Sequence, residues 1–318
     1  MARYIGIRLL AMIPLLFAIA VISFTIAVAM EARGSIAGSI CGEGATVECI
    51  ASVERQLGLD DPIPIRFVRW LASAVTGDLG TSLTNESVSV SSLIADRIGP
   101  TLSIVAYSLV IGVAAGMAMG IVSGVRPGGG ADRAISVASA ALIAAPGFVL
   151  AMLLSWWLAV KWGWLSPAGY TRPTESITGW ISSITLPAIG LALPTVALVQ
   201  RQLRSSMSNA LQSRYVLAAR ARGIKRTSLI GEHALPNAMI PTVTAIGFRA
   251  AAALGLTFTV EVVFNINGMG TLLTNAIQTR NVTVLQGSML VVGIVVLVVN
   301  LLVDISYGLL NPKVRLER

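Results

Sequence analysis

The sequence predicts an all-α integral membrane protein with six transmembrane helices, and three observations carry that reading. Hydrophobic residues make up 55% of the 318, charged residues only 12%, and the mean hydropathy is +0.79. A soluble domain carries about 25% charged residues. Four stretches each run 22 residues or more without a charge, the length a helix needs to cross hydrocarbon. The 23 Lys and Arg residues gather in alternate segments between the apolar stretches, the pattern of charges flanking membrane spans. These numbers exclude a disordered chain and argue against a soluble enzyme. The net charge of +8 is accordingly read as flanking charge rather than as a nucleic-acid surface.

The spans follow in order. Leu9–Met30 is the first. Arg3 and Arg8 precede it as in a secretion signal, but the run exceeds a signal's apolar core and no small-residue cleavage site follows. Ile98–Val125, Ala134–Val160 and Ser176–Gln200 are the second to fourth. Two further spans carry charges: about 240–264 holds Arg249 and Glu261, and about 282–310 holds Asp304. Fourteen bases lie in segments 1–8, 126–133, 201–239 and 311–318, against eight in 31–97, 161–175 and 265–281. The positive-inside rule therefore predicts that both termini are cytoplasmic. The chain divides into 1–30 (N-terminus and first span), an extracytoplasmic segment 31–97, a five-span core 98–310 and a cytoplasmic tail 311–318.

Within the spans, Gly112, Gly116, Gly120 and Gly124 recur at every fourth position, so one helix face is bare enough for close backbone approach. Packing within the chain and a subunit interface are both open to that face. Pro187 and Pro194 are expected to kink or break the fourth span. Trp156, Trp157, Trp162, Trp164 and Trp180 bracket segment 161–175 and read as an interfacial belt rather than a ligand box. Cys41 and Cys49 are the only cysteines, and both fall in the outer segment. A disulfide and two free thiols are the alternatives, with the oxidising side favouring the first.

Catalytic chemistry is missing from the sequence. No phosphate-binding G-x-x-x-x-G-K-[ST] loop occurs, so ATP is not expected to bind here through that motif. One histidine, His233, is too little for an imidazole-based metal site or a Ser/His nucleophile. No catalytic residue, metal site or cofactor is predicted on this chain.

Segment 201–239 holds seven bases yet patterns as structure. Ser205–Arg222 has no proline or glycine and is expected to be one helix, capped at its C-terminus by Gly223. Thr227 or Ser228 can cap a second short helix, and Pro236 and Pro241 are expected to interrupt the return into the membrane. The product is a helix–turn–helix on the cytoplasmic face, suited to docking in a partner's groove or to lying on the membrane surface.

Ala218-Ala219-Arg220-Ala221-Arg222-Gly223, followed by Ala234-Leu235-Pro236, resembles the E-A-A-x-x-x-G…I-x-L-P loop of bacterial ATP-binding-cassette importer permeases. Leu217 stands where the family has Glu, and His233 where it has Ile. Leu57-Gly58-Leu59-Asp60 with Pro62, and Gly77-Asp78-Leu79-Gly80, resemble the outer segment of the B-type permease subunit of dipeptide and oligopeptide importers. Glu261-Val262-Val263-Phe264, Gly268-Met269-Gly270, and Asn300-Leu301-Leu302-Val303-Asp304 with Tyr307, Asn311 and Pro312 are similar to the same subunit. The combination points to the peptide/nickel group.

The resemblance implies a type I importer permease fold and half of a translocation path, working by alternating access. It implies a multi-pass protein of the bacterial inner membrane, surrounded by lipid. Expected partners are a C-type permease, two cytoplasmic ATPases that carry the ATP and Mg, and an extracytoplasmic substrate-binding protein. The loop residues Ala218, Ala219, Arg220, Arg222, Gly223, Leu235 and Pro236 would couple to the ATPase, with Ala218, Ala219 and Gly223 in closest contact. A nickel or glutathione importer of the same family is the alternative. A stand-alone secondary transporter would need inverted repeats and midplane acids; no internal repeat is evident, and the centres of the first four spans are uncharged. Arg249 and Glu261 are the candidates for the path or its gate. Arg249 cannot pair with Glu261, because twelve residues along one helix separate them by about 18 Å. It either faces the path, where it would meet a peptide carboxylate, or pairs with Asp304 at similar depth.

Overall fold

The computed structural model describes residues 2–31, 41, 46–56 and 61–310. The motif at 57–60, the tail 311–318 and with it Asn311 and Pro312 lie outside the described residues. Helices dominate: α1 (Ala2–Glu31), α2 (Val47–Gln56) and α3 (Ile63–Val75) come first. A small antiparallel hairpin follows, β1 (Thr81–Ser82) and β2 (Asn85–Ser89), with Thr81 opposite Ser89 and Ser82 opposite Asn85. Then come α4 (Val90–Val125), α5 (Gly130–Ala144), α6 (Gly147–Ser155, continued as a π-helix over Trp156–Lys161) and α7 (Ile177–Leu211). The C-terminal third holds α8 (Arg214–Ala221), α9 (Arg226–Ser228, continued as a π-helix over Leu229–Ala234), α10 (Leu235–Val263), α11 (Met269–Gln278) and α12 (Val282–Leu310).

Five helical stretches are long and apolar enough to cross a membrane, at Gly6–Met30, Val90–Val125, Ile177–Leu211, Arg226–Val263 and Val282–Ile305. The sixth is the pair α5 and α6, which bends by 98°. The apolar run 134–160 predicts one uninterrupted span, whereas the structure breaks it at Ala145-Pro146. Ala145 precedes Pro146, whose ring disfavours α geometry at the residue before it, and Ala145 is extended at φ −98°, ψ 138°. Of the kink or break expected in the fourth span, the break does not occur: α7 runs unbroken through Pro187 and Pro194. Pro194 leaves the Gly190 carbonyl without its helical donor, and that carbonyl lies against Gly147, where any Cβ would collide with it. A neighbouring segment thus covers the freed group, as in other proline-containing spans.

Two compact units are distinguished: residues 100–266 with the two chain ends (1–5 and 299–318), and residues 6–99 with 267–298. In the first unit the glycine row of α4 meets a row on α7 with the same spacing. A Cβ on Gly112, Gly116, Gly120 or Gly124 would come within 2.7–2.9 Å of the Cβ of Thr195, Val199, Leu203 or Met207 respectively. The two helices run parallel, and the glycine face is used for packing within the chain. Ile104, Ile184, Leu186, Leu203 and Met207 are fully buried in this unit.

In the second unit, Phe24 of α1 stacks edge-on with Phe67 of α3 at 5.3 Å between centroids and lies 6.1 Å from Trp70. Cys41 and Cys49 are bonded as a disulfide. Asn281 ties the hairpin to the start of α12. Its Nδ2 donates to Ser82 Oγ (2.8 Å) and Thr84 Oγ1 (3.2 Å), and its Oδ1 accepts from the Leu83 and Val284 amides (3.3 Å each). Asn281→Ala removes all four contacts and leaves the buried Val284 amide without its side-chain acceptor, at about 1–3 kcal/mol. The expected result is markedly faster hydrogen exchange at Leu83 and Val284, with the α7 amides unchanged.

Candidate functional site

The loop predicted to couple begins later than its charges suggest. α7 is 35 residues long, about 52 Å at 1.5 Å per residue, and hydrocarbon needs only about 20 residues. The helix expected over 205–222 is interrupted at Gln212-Ser213, which is a correction. Ser213 Oγ donates to the Ala210 carbonyl, an alternative to continuing the helix. Gly223 ends α8 with φ +81°, a left-handed conformation that disfavours other residues. The turn then delivers α9, whose N-cap is Lys225 without a side-chain hydrogen bond, so neither Thr227 nor Ser228 performs that role.

Pro236 and Pro241 do not interrupt the return either, since 226–263 is continuously helical. Pro236 falls in the first turn of α10, directly after the π-helical stretch Leu229–Ala234. The wider π turn does not call for the amide proton that proline lacks. The His233 carbonyl accepts from Asn237 Nδ2 at 2.8 Å and from Tyr215 Oη at 3.3 Å, which ties α8 to the return helix.

α8 therefore has two faces. Val216 and Ala219 are buried with Leu229 from the return, flanked by Leu211 and Ile224. Arg214, Leu217, Ala218 and Ala221 are exposed and fall at helical spacing on the other face. Leu217 is 51% exposed, a large apolar side chain beside Ala218. Ala219 thus packs within the hairpin, on the face opposite Leu217 and Ala218. Leu235 also packs inward, against the cluster of Leu203, Met207, Ala234 and Ala238. Ala218, Arg220, Arg222, Gly223 and Pro236 are exposed. Beside α8 opens a cleft of about 300 Å³ lined by Val216, Leu217, Ile224, Ile230, Arg220 and Arg226 among others.

At the base of the hairpin lies a feature the sequence reading did not single out. Asp132, 2% exposed in the first turn of α5, accepts from both Arg204 Nε and Nη2, the latter at 2.7 Å. The Gly128 amide adds a third hydrogen bond at 2.7 Å. One turn earlier on α7, Gln200 Nε2 donates to Ser123 Oγ of α4 at 3.0 Å. Arg204 entered the sequence argument only as one of seven bases; no local spacing relates it to Asp132, which lies 72 positions away.

The charges inside the spans are placed as follows. Arg249 Nε reaches Thr195 Oγ1 of α7 at 3.5 Å, while its Nη2 is buried without a hydrogen-bond partner. Glu261 is fully buried and accepts a hydrogen bond from Thr101 Oγ1. Trp156, Trp157, Trp162 and Trp164 are exposed, and Lys161 Nζ sits 4.3 Å from the Trp157 ring centroid.

Residues 112–316 match the family described as Binding-protein-dependent transport system inner membrane component. Residues 1–105 match the N-terminal region described for such membrane components. A Brucella ovis protein named as a peptide permease is 40% identical over 266 residues, covering 83% of each chain. A probable peptide ABC transporter permease protein of Sinorhizobium fredii is 32% identical over 99% of this chain and 100% of its own. The glutathione transport system permease protein of Escherichia coli (strain K12) is 35% identical over 99% of both. Among solved structures, the inward-facing MetNI methionine ABC transporter shares the fold, with a TM-score of 0.57 at 18% identity over 69% of this chain and 96% of that one. The chain belongs to the binding-protein-dependent transport system inner membrane component family: it is a multi-pass ABC transporter permease, not an enzyme.

Proposed function

We propose that the chain is the B-type half of the translocation path of a peptide importer, driven by separate ATPases that dock on the 213–239 hairpin. The observation that carries this reading is the hairpin itself. It is internally packed, continuous with two spans, and presents Leu217 and Ala218 outward. A stiff element of that kind passes a push from a partner into the spans, as alternating access between two packings requires. Both termini and the hairpin would be cytoplasmic in the inner membrane. A C-type permease would complete the path, an outer binding protein would deliver the peptide, and ATP and Mg would stay on the ATPases.

Peptide cargo is supported by the names of the Brucella and Sinorhizobium relatives. Glutathione, named for the Escherichia relative, is itself a tripeptide, so the relatives agree on chemical class. In a strain lacking this chain, uptake of a labelled dipeptide should be lost and restored by the intact gene. Loss of nickel uptake with unchanged dipeptide and glutathione uptake would overturn the peptide reading.

Arg249 is our candidate for recognising peptide within the path. An arginine in a span is costly unless it faces water or an anion, at about 2.5–3.5 kcal/mol on insertion scales. Its partnerless Nη2 supports a role for a passing carboxylate. Arg249→Gln should leave the amount of assembled complex unchanged and alter which peptides compete for uptake. Reduced assembly, partly rescued by adding Asp304→Asn, would instead support the ion-pair alternative.

A further inference from the structure

The broken span α5–α6 is attached to α7 at two places. Near its start, the Asp132 carboxylate grips Arg204 with both oxygens. Past the bend, Gly147 and Ala151 of α6 lie directly against Gly190. The attachments are fourteen residues apart on α7, about 21 Å, and they bracket the 98° bend. They differ in kind. The α6 contact is glycine and alanine packing, across which helices slide in small shears. The Asp132–Arg204 pair is a two-pronged, charge-assisted contact that fixes angle as well as distance.

We propose that the Asp132–Arg204 pair is the link that makes the broken span move with α7 and its docking hairpin, so that ATPase movement reaches the path. This rests on the hairpin being the ATPase dock. Three features support the link. Asp132 is buried and also held by the Gly128 amide, so the turn before α5 cannot move without it. Arg204 lies seven residues before the end of α7, at the hairpin's base, where a displacement of the hairpin arrives first. Gly124 packs on Met207 one turn further along, so α4, the turn and α7 form one block at this level. Both residues are positioning groups; neither touches cargo in this account.

The test uses the whole importer in proteoliposomes, with labelled dipeptide as probe and uptake and ATP hydrolysis measured on the same vesicles. Asp132→Asn keeps the shape and removes the charge, and Arg204→Lys removes the fork. In both, peptide carried per ATP should fall about 10-fold, mid-range for a coupling free energy, while hydrolysis persists. The exchange Asp132→Arg with Arg204→Asp should recover part of the ratio. An unchanged ratio, uptake and hydrolysis falling in parallel, or loss of the complex from the membrane in every variant would overturn the link in favour of a purely structural pair. Ala218→Trp separates the two claims. If it blocks uptake while Asp132→Asn keeps the wild-type ratio, the link alone fails; if it transports normally, the docking reading fails and takes the link with it.

Discussion

Ala218→Trp is expected to abolish uptake while leaving the permease folded and membrane-inserted. Ala218 is exposed on the outward face of α8, away from the hairpin's packed face of Val216 and Ala219. An indole there would occupy the space a partner needs beside Leu217. Loss of a central contact from an interface corresponds to about 100-fold in affinity, and an importer without its ATPase does not transport. Recovery of the permease without co-purifying ATPase subunits checks the result. Ala219→Trp, one residue on, has a different expected outcome. Ala219 is packed on Val216 and Leu229, so an indole there forces the hairpin apart and lowers permease yield as well.

Gly116→Val is expected to destabilise the permease strongly. A Cβ at 116 would come 2.7 Å from Val199 Cβ and 2.9 Å from the Val196 carbonyl oxygen. Overpacking costs about 1–3 kcal/mol where side chains can give way. Backbone on the far side leaves little to give, so the upper end of that range applies. The same seam repeats at Gly112, Gly120 and Gly124, and strain at one rung pries at the next. Gly6→Ala is the control, because nothing lies within 4 Å of a Cβ there. Thermal unfolding of the detergent-purified protein should shift for the first variant and not for the second.

Much of the fold was legible because membrane burial writes long apolar runs, and each predicted span has a helical counterpart. The glycine row was legible as a close-packing face, although its partner row on α7 carries no sequence mark. The departures at proline run in opposite directions, because the local rule holds at Pro146 and is overridden at Pro236 and Pro241. Pro146 breaks a span because it follows an alanine driven extended and precedes a glycine. Pro187, Pro194 and Pro241 sit within continuous helices, and Pro236 begins one. For Pro194 the freed carbonyl meets Gly147, a contact visible only in three dimensions.

The candidate site was legible in outline and not in its faces. The A-A-x-x-x-G pattern located α8 and its Gly223 terminus. Which alanine points outward depends on the Ser213 break, which sets the helical phase and which tight backbone turns and the Ser213 hydroxyl together hold. Leu217, read as a departure from the family pattern, is the exposed apolar residue of the outer face. The Asp132–Arg204 pair left no signature because its members are far apart in sequence and unremarked in composition.

The central claim, docking through this hairpin, is most directly tested by site-specific cross-linking in native membranes. The chain's own cysteines are joined to each other, so a cysteine introduced by Leu217→Cys would be the one free thiol among the described residues. With a short bifunctional reagent it is predicted to yield one adduct with an ATPase subunit. A cysteine introduced at the buried Val216 should yield none. Equal labelling of both positions, or an adduct with lipid-embedded subunits and never with an ATPase, would contradict the account.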